Sequence, residues 1–338
     1  MQIEIHSDPG GFETLAGEWN ELLQDSAVDT IFLTLQWQSI WWHHLGDGFL
    51  TLVVLRDKSG RLVGLAPLRR TPTEDGGWEL TTVGCVDVSD YVDIIARRGH
   101  EEIVYAALLD WLTGQDAVAW DSLRLCNIRQ NSPTLQLLAP MTVARGLQVA
   151  QQVQEVCPIV TLGDSWDEYL AGLSGKERRE LRRKLRRATP HAGVNWTIVG
   201  SEHDLPSEME TFLDLMALSH PKKARFLHDR HRAFMHAISQ AAWDAGWLEL
   251  AFLYIDGEPA AGMLNFAYQN RTLLYNSGLD AARFLHYSPG IVLTALLIRH
   301  SIEAGREAFD FLRGDEEYKY KLGGADTTIH QLLIRKRT

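Results

Sequence analysis

The feature that most constrains this fold is a concealed repeat. EIVYAALL from Glu102 matches GIVLTALL from Gly290, and WDSLRL from Trp120 matches FDFLRG from Phe309, at offsets of 188 and 189 residues. The segments ahead of them agree in kind. FLTLVVLRDKSGRLVGLAPLRR reads as two strand-like runs around a turn ending in Ser59-Gly60, and WLELAFLYIDGEPAAGMLNFAYQ reads the same way around Asp256-Gly257. Gly262 takes the place that Gly64 holds in the first hairpin. Helices, an antiparallel hairpin, a further strand, a helix and a strand therefore occur twice. This predicts an α+β chain of two domains, 1–160 and 161–338, with mixed, mostly antiparallel sheets flanked by helices.

The first half opens with a strand, QIEIHS. Phe12, Leu15, Trp19, Leu22 and Leu23 then form a helical stripe, and the Trp-rich LQWQSIWWHHLG reads as a second helix. Its tryptophans are placed in the core rather than on a sugar platform. VSDYVDIIA is the clearest strand after Trp78, followed by a helix from Glu101 to Leu112 and a strand SLRLCNI.

The corresponding stretch of the second half, Tyr275 to Gly324, carries the chemistry. Ser288 is a good helix N-cap, and Pro289 suits a first helical position because its missing N–H is an orphan there anyway. Ile291, Ala295, Ile298 and Ile302 make an apolar stripe, and Gly305 is a fitting stop. In AFDFLRG, Phe309 and Phe311 alternate with Asp310 and Leu312, the pattern of a strand with a carboxylate on one face. Strand, short loop and helix start together form a pyrophosphate cradle, since free N–H groups and the helix dipole favour negative charge. The first half has His100, Glu101 and Glu102 at the same point, where carboxylates repel a phosphate. Only the second half is expected to hold an acyl carrier.

Composition narrows the setting. The 338 residues carry a formal charge of −11, which argues against broad nucleic-acid affinity, so DNA is not an expected partner. No apolar run approaches the roughly 20 residues of a membrane span, and MQIEIHSDPGG has neither a basic nor an apolar leader segment, so a cytoplasmic location without an integral membrane segment is expected. Cys85, Cys126 and Cys157 are far apart and lack a C-x-x-C, which predicts three buried thiols. His228, His231 and His236 lack an accompanying carboxylate set, and no metal is expected.

The order of elements is that of a GNAT-type acyltransferase domain, so the chain resembles a tandem of two. SPG-x-x-L, DFLRGDEEYK and the early WQSIWW…GLAPL pattern resemble the CelD-like acetyltransferases linked to cellulose biosynthesis, over nearly the whole chain. That family is similar to the FemAB-type peptidyltransferases and the leucyl/phenylalanyl transferases, which take aminoacyl groups from tRNA. HYSPGIV only loosely matches the usual R/Q-x-x-G-x-G/A pyrophosphate motif, a departure that bears on acetyl-CoA more than on acyl transfer.

Acyl transfer needs a proton acceptor, donors for the oxyanion and an acid for the leaving group. Tyr318 is the expected general acid, because a phenol with a pKa of roughly 10 stays protonated at neutral pH; its alternative is a packing aromatic. By resemblance Lys319 matches the lysine of the FemAB Phe-Lys pair and stabilises the transition state, with Tyr320 and Lys321 leaving the register open. Asp310 and Asp315 are candidate bases or substrate anchors, with pairing to an internal arginine the alternative for Asp310; Arg313 is an anion contact, and Asn276 and Ser277 end the strand where a backbone or amide group contacts the acyl carbonyl. Tyr287, Ser288, Pro289, Gly290 and Ile291 are expected to hold the carrier.

The run Lys176, Arg178, Arg179, Arg182, Arg183, Lys184, Arg186, Arg187 makes a cationic amphipathic helix with Leu181 and Leu185 inward. A solvated face is the plain reading. By resemblance to the FemAB Arg-rich helix, which precedes Gly-Val as this one precedes Ala192-Gly193-Val194, Arg179 and Arg183 hold a phosphate-bearing group. His220 is a candidate for the acceptor pocket. The expected activity is acyl transfer, with acetyl-CoA as co-substrate and a small-molecule or saccharide acceptor, such as a cell-envelope precursor. The alternatives are an aminoacyltransferase using tRNA and a non-catalytic module of the same fold.

Overall fold

The computed structural model describes residues 1–85, 88–188 and 193–336. The chain divides into two units, Met1–Val156 with Thr327–Thr338, and Cys157–Asp326. The strands are β1 (Gln2–His6), β2 (Phe49–Arg56), β3 (Leu62–Pro72), β4 (Trp78–Thr82), β5 (Ile95–Ala96), β6 (Ser122–Arg129), β7 (Gln148–Thr161), β8 (Val194–Ile198), β9 (Leu248–Ile255), β10 (Glu258–Tyr268), β11 (Arg271–Leu279), β12 (Ala308–Asp310) and β13 (Ala325–Arg335).

Within the first unit the order is β1-β2-β3-β4-β6-β13, antiparallel throughout except for the parallel pair β4/β6. Within the second it is β8-β9-β10-β11-β12-β7, antiparallel except for β11/β12. A parallel pair needs a crossover, and one long helix supplies it in each unit: Glu101–Thr113 in the first, Pro289–Glu303 in the second. The repeat is therefore real at the level of topology. One difference is the source of the sixth strand, which is the C-terminal β13 in the first unit and β7, ahead of all other strands, in the second.

Apolar burial fixes both helices. Val104, Leu108, Leu109 and Leu112 are buried in one, and Val292, Leu293, Leu297 and Ile298 in the other. Each such side chain stabilises by about 1.5–3 kcal/mol, more than the roughly 1 kcal/mol of a side-chain cap. Neither helix has a capping side chain.

Several expectations are corrected. Ser288 stands at the N-cap, but it adopts a left-handed φ of 54° and its hydroxyl caps nothing. Ile291 is outside the buried stripe. The AFDFLRG strand stops at Asp310, because Leu312 turns left-handed at φ 54° and is buried with the phenylalanines. VSDYVDIIA is a buried loop over its described part until β5, with Asp90 and Asp93 in the interior rather than on a strand face. The stripe from Phe12 to Leu23 is split into helices Gly10–Thr14 and Trp19–Gln24, although all five apolar residues are buried. Trp37 and Trp41 are core residues. Gly64 and Gly262 are not equivalent: a Cβ on the first would strike Val104 at 2.6 Å, and on the second Phe252 and Phe212 at 3.0 and 3.1 Å. The strand after the crossover helix begins at Ser122 and at Ala308, so WDSLRL and FDFLRG are out of structural register. Cys85 and Cys126 are joined as a disulfide with a Cα separation of 5.7 Å, and only Cys157 is a buried free thiol. Ala192, in the segment after the basic helix, lies outside the described residues.

Candidate active site

In the second unit β11 ends in Ser277-Gly278-Leu279, paired with Met263, Gly262 and Ala261 of β10 beyond a register shift at Leu264/Asn265. Gly278 is required there by contact: a Cβ would come within 2.3–2.4 Å of the Leu215–Met216 backbone in helix Leu205–Ser219. Asp280 then caps a short helix, Ala281–Phe284, its carboxylate accepting from the Arg283 N–H at 3.1 Å. A 3-10 turn, Leu285–Tyr287, leads to left-handed Ser288 and the crossover helix.

Between the end of β11 and the start of this helix lies a cavity of about 310 Å³. Ser277, Gly278 and Leu279 line one side and Ser288, Pro289, Gly290 and Ile291 the other, with Met263, Thr294, Tyr318 and Lys184 completing it. Its lining is mainly apolar, with a phenol and an ammonium as the polar handles. A second groove of about 530 Å³ shares Lys184 and Ile291 with the cavity and is walled by Lys176, Arg179, Arg183 and Lys321. Three acids, Glu177, Glu180 and Glu317, temper that charge. Arg183 is paired with Glu180 at 2.6 Å and Lys321 with Glu317 at 2.8 Å. The basic helix, Gly175–Ala188, is held against the cavity loop by Arg187, whose guanidinium donates to the His286 carbonyl at 2.7 Å. Leu181 and Ala188 are buried beneath it.

Of the expected carrier residues, Ser288 to Ile291 meet at the cavity. Asn276 and Tyr287 do not line it: Asn276 pairs with Leu264, and Tyr287 packs on Ile255, Ala260 and Phe284. Tyr318 lines the cavity, and burial, then the Glu316 charge, push its phenol well above the ordinary range, so it stays protonated. Tyr320 instead donates to Asp326 at 2.8 Å.

Lys319 does not line the cavity. It is 2% exposed, and its ammonium donates to the carbonyls of Leu312, Arg313 and Gly314 at 3.3, 2.7 and 3.1 Å and pairs with Glu316 at 2.9 Å. These contacts tie the ammonium to a turn containing left-handed Leu312 and Gly314. Asp310 is buried too, its carboxylate accepting from the Leu312 N–H at 2.8 Å, and it does not line the cavity. Arg313 belongs to the same turn and Asp315 is exposed beside it; neither lines the cavity. His220 is a helix cap, its Nδ1 accepting from the Lys222 N–H at 3.0 Å. His231 and His228 share a hydrogen bond of 2.8 Å, and His236 meets Glu210 at 2.6 Å; among the described residues no three potential metal ligands cluster.

Sequence reading passed over Gly278, whose necessity lies in a tertiary contact, and Lys223. Nothing in PKKARF distinguishes Lys223 from its neighbour Lys222. In the fold its ammonium reaches the carbonyl of Ser277, a residue that lines the cavity, at 2.5 Å.

Residues 175–320 match the family described as acetyltransferase (GNAT) domain. Among solved structures the chain is similar to FemX, at 12% identity over 98% of this chain and 97% of that one with a TM-score of 0.68. It is also similar to a conserved protein of unknown function from Bacteroides thetaiotaomicron, at 12% identity over 99% and 100% with a TM-score of 0.60. L-PGS from Bacillus licheniformis follows at 13% identity over 98% and 93%, TM-score 0.57. No match was found among curated proteins. The fold is thus a tandem of two GNAT-type units. Among the described residues no single helix is long and apolar enough to cross a membrane.

Proposed function

We propose that this protein is an acyltransferase whose second unit binds the acyl donor, with acetyl-CoA as co-substrate, while the first unit is a scaffold without a working carrier site. The observation that carries this reading is the cavity bounded by β11 and the start of helix Pro289–Glu303, inside the segment that matches the acetyltransferase domain. Its apolar lining suits a pantetheine-like arm. The adjoining cationic groove suits the phosphates at the other end of such a carrier. Tyr318 protonates the leaving thiolate, and backbone N–H groups at the end of β11 support the developing oxyanion. The acceptor is an amine or hydroxyl, and the CelD-like resemblance favours a saccharide or cell-envelope precursor in the cytoplasm.

The test is isothermal titration of acetyl-CoA into the wild type and Gly290→Glu. A Cβ at this position meets only Leu279 Cδ2, at 3.4 Å, so the backbone accepts a side chain there, and the glutamate puts a carboxylate at a residue that lines the cavity. Saturable binding lost in the variant is expected; absence of binding to the wild type sinks the acetyl-CoA reading. The exposed faces of Arg179, Arg182 and Arg186 favour a second reading, an aminoacyl-tRNA donor. That reading requires binding of tRNA that weakens steeply with salt. It is consistent with similarity to FemX.

A further inference from the structure

We infer that Lys223 is the proton acceptor of the transfer reaction, a role that rests on the donor reading of the same cavity. Lys223 projects from helix Pro221–Phe226 to the end of β11, where its Nζ lies 2.5 Å from the Ser277 carbonyl and 3.5 Å from the Ser277 hydroxyl. Ser277 itself lines the cavity, opposite the start of the crossover helix, and Tyr318 lines the same space. Lys223 thus sits behind Ser277, one residue removed from the chamber that Tyr318 lines.

The charged groups around Lys223 do not hold it as a fixed cation. Glu316, on the turn before helix Glu317–Lys321, is the acid that acts on it, and the Lys319 ammonium already pairs with that carboxylate at 2.9 Å. On its own helix the neighbours Lys222 and Arg225 are cations, and His220 is engaged in the cap. The Ser277 carbonyl accepts one N–H, which leaves a neutral amine with its lone pair for a substrate proton. Burial, opposed by the Glu316 charge, brings the Lys223 pKa down to about 8, so a useful fraction is neutral near pH 7 to 8.

The step balances without a further reagent. The acceptor's N–H or O–H proton passes to Lys223 Nζ as its N or O bonds the acyl carbon. The carbon–sulfur bond then breaks, and the thiolate takes the Tyr318 proton. Solvent exchange returns the Lys223 proton and reprotonates the phenol.

The test needs no acceptor. Lys223 in the full-length wild type is labelled with trace acetic anhydride from pH 6 to 11, with and without acetyl-CoA, and read by peptide mass spectrometry. A labelling midpoint near 8, with at least ten-fold slower labelling once acetyl-CoA is bound, is expected. A midpoint near the ordinary 10.5, or labelling indifferent to bound acetyl-CoA, overturns the inference. If titration detects no acetyl-CoA binding, the donor reading fails, and the midpoint still decides whether Lys223 has the required basicity. Release of coenzyme A, with glucosamine as the probe acceptor, is the second readout. Lys223→Met and Lys223→Arg should bind acetyl-CoA within two-fold of wild type yet lose at least 100-fold in kcat with KM for acetyl-CoA little changed, together with the rise of rate toward pH 8. Added methylamine should partly restore Lys223→Ala. Wild-type rates and an unchanged pH profile in Lys223→Met would refute the assignment.

Discussion

The two units share the order of their first five strands, a single parallel pair and a crossover helix, but they differ beside the start of that helix. In the second unit the helix begins Ser288-Pro289-Gly290 and fronts a cavity of about 310 Å³. In the first, His100-Glu101-Glu102 stands at the same alignment, and polar groups are tied together nearby. Asp93 accepts from the Ser132 and Thr134 hydroxyls, both at 2.5 Å, and the Thr134 oxygen meets the Tyr105 hydroxyl at 3.1 Å. One copy has joined its polar side chains to each other; the other leaves the Tyr318 phenol and the Lys184 amine beside open volume. The scaffold therefore does not make the site. A few side chains at one helix start, and what stands next to them, are where the two copies differ.

The sharpest way to break this comparison is to exchange the residues at the aligned pair Gly290 and Glu102. Gly290→Glu should weaken acetyl-CoA binding by at least 100-fold in titration. Glu102→Gly should leave the affinity and the stoichiometry of one unchanged, because it removes one carboxylate and leaves the hydrogen bonds of the Asp93 network intact. A second binding event in Glu102→Gly would show that charge at the helix start is the only difference between the copies.

Next in size is Lys319→Met. It leaves three carbonyls of the Leu312–Gly314 turn without their donor, at about 1–3 kcal/mol for each buried acceptor, so a loss of roughly 4 kcal/mol in urea unfolding is expected. All the Lys319 partners named above lie in the second unit, so unfolding of the first should be unaffected. Wild-type stability with abolished turnover would instead return Lys319 to the reaction.

A pH scan separates the copies further. Burial raises Asp93 in the first unit to about 6, against hydrogen bonds from Ser132, Thr134 and the Ile94 N–H. A carboxyl whose folded pKa is raised contributes stability that is complete below its ordinary 3.8 and lost as pH climbs through about 6. In the second unit burial also pulls Glu249 upward, but hydrogen bonds from Arg306 and His300 outweigh it and bring Glu249 to about 2. Its contribution is present above the ordinary 4.5 and lost as pH falls toward 2. Asp93→Asn should therefore gain on the wild type between pH 4 and 6, by at most about 3 kcal/mol, from roughly two pKa units. A constant difference across that range would mean that Asp93 does not titrate on unfolding.

Topology was legible in the sequence because it rests on alternation, helical spacing and turn residues, which leave local traces in both copies. The helix start at Pro289 and the closeness of Ser288, Gly290 and Ile291 were legible for the same reason. The burial of Lys319 and Asp310 was not, since burial of an ammonium under three carbonyls depends on the left-handed turn at Leu312, and no spacing announces that turn. Lys223 was silent because only the approach of its helix to β11 makes it different from Lys222. The Cys85–Cys126 pairing was missed because it joins residues after β4 and within β6, neighbours through the sheet and not in the chain.

The smallest expected effect concerns the two residues that precede the crossover helices. Ser288 and His100 are aligned, and neither side chain caps its helix, but Ser288 has φ 54° and His100 has φ −113°. A left-handed conformation costs a non-glycine residue roughly 1–2 kcal/mol, and glycine avoids that cost while paying up to about 1 kcal/mol in chain entropy. Ser288→Gly should thus be neutral or stabilising by up to about 1 kcal/mol, and it should leave acetyl-CoA binding intact, because the hydroxyl caps nothing. His100→Gly gains no relief and should lose a few tenths to 1 kcal/mol. Thermal unfolding of the two variants side by side measures the difference. Loss of binding in Ser288→Gly with stability unchanged would give the hydroxyl a direct role toward the carrier and would make the left-handed geometry a device for presenting it, a role that no residue at His100 could share.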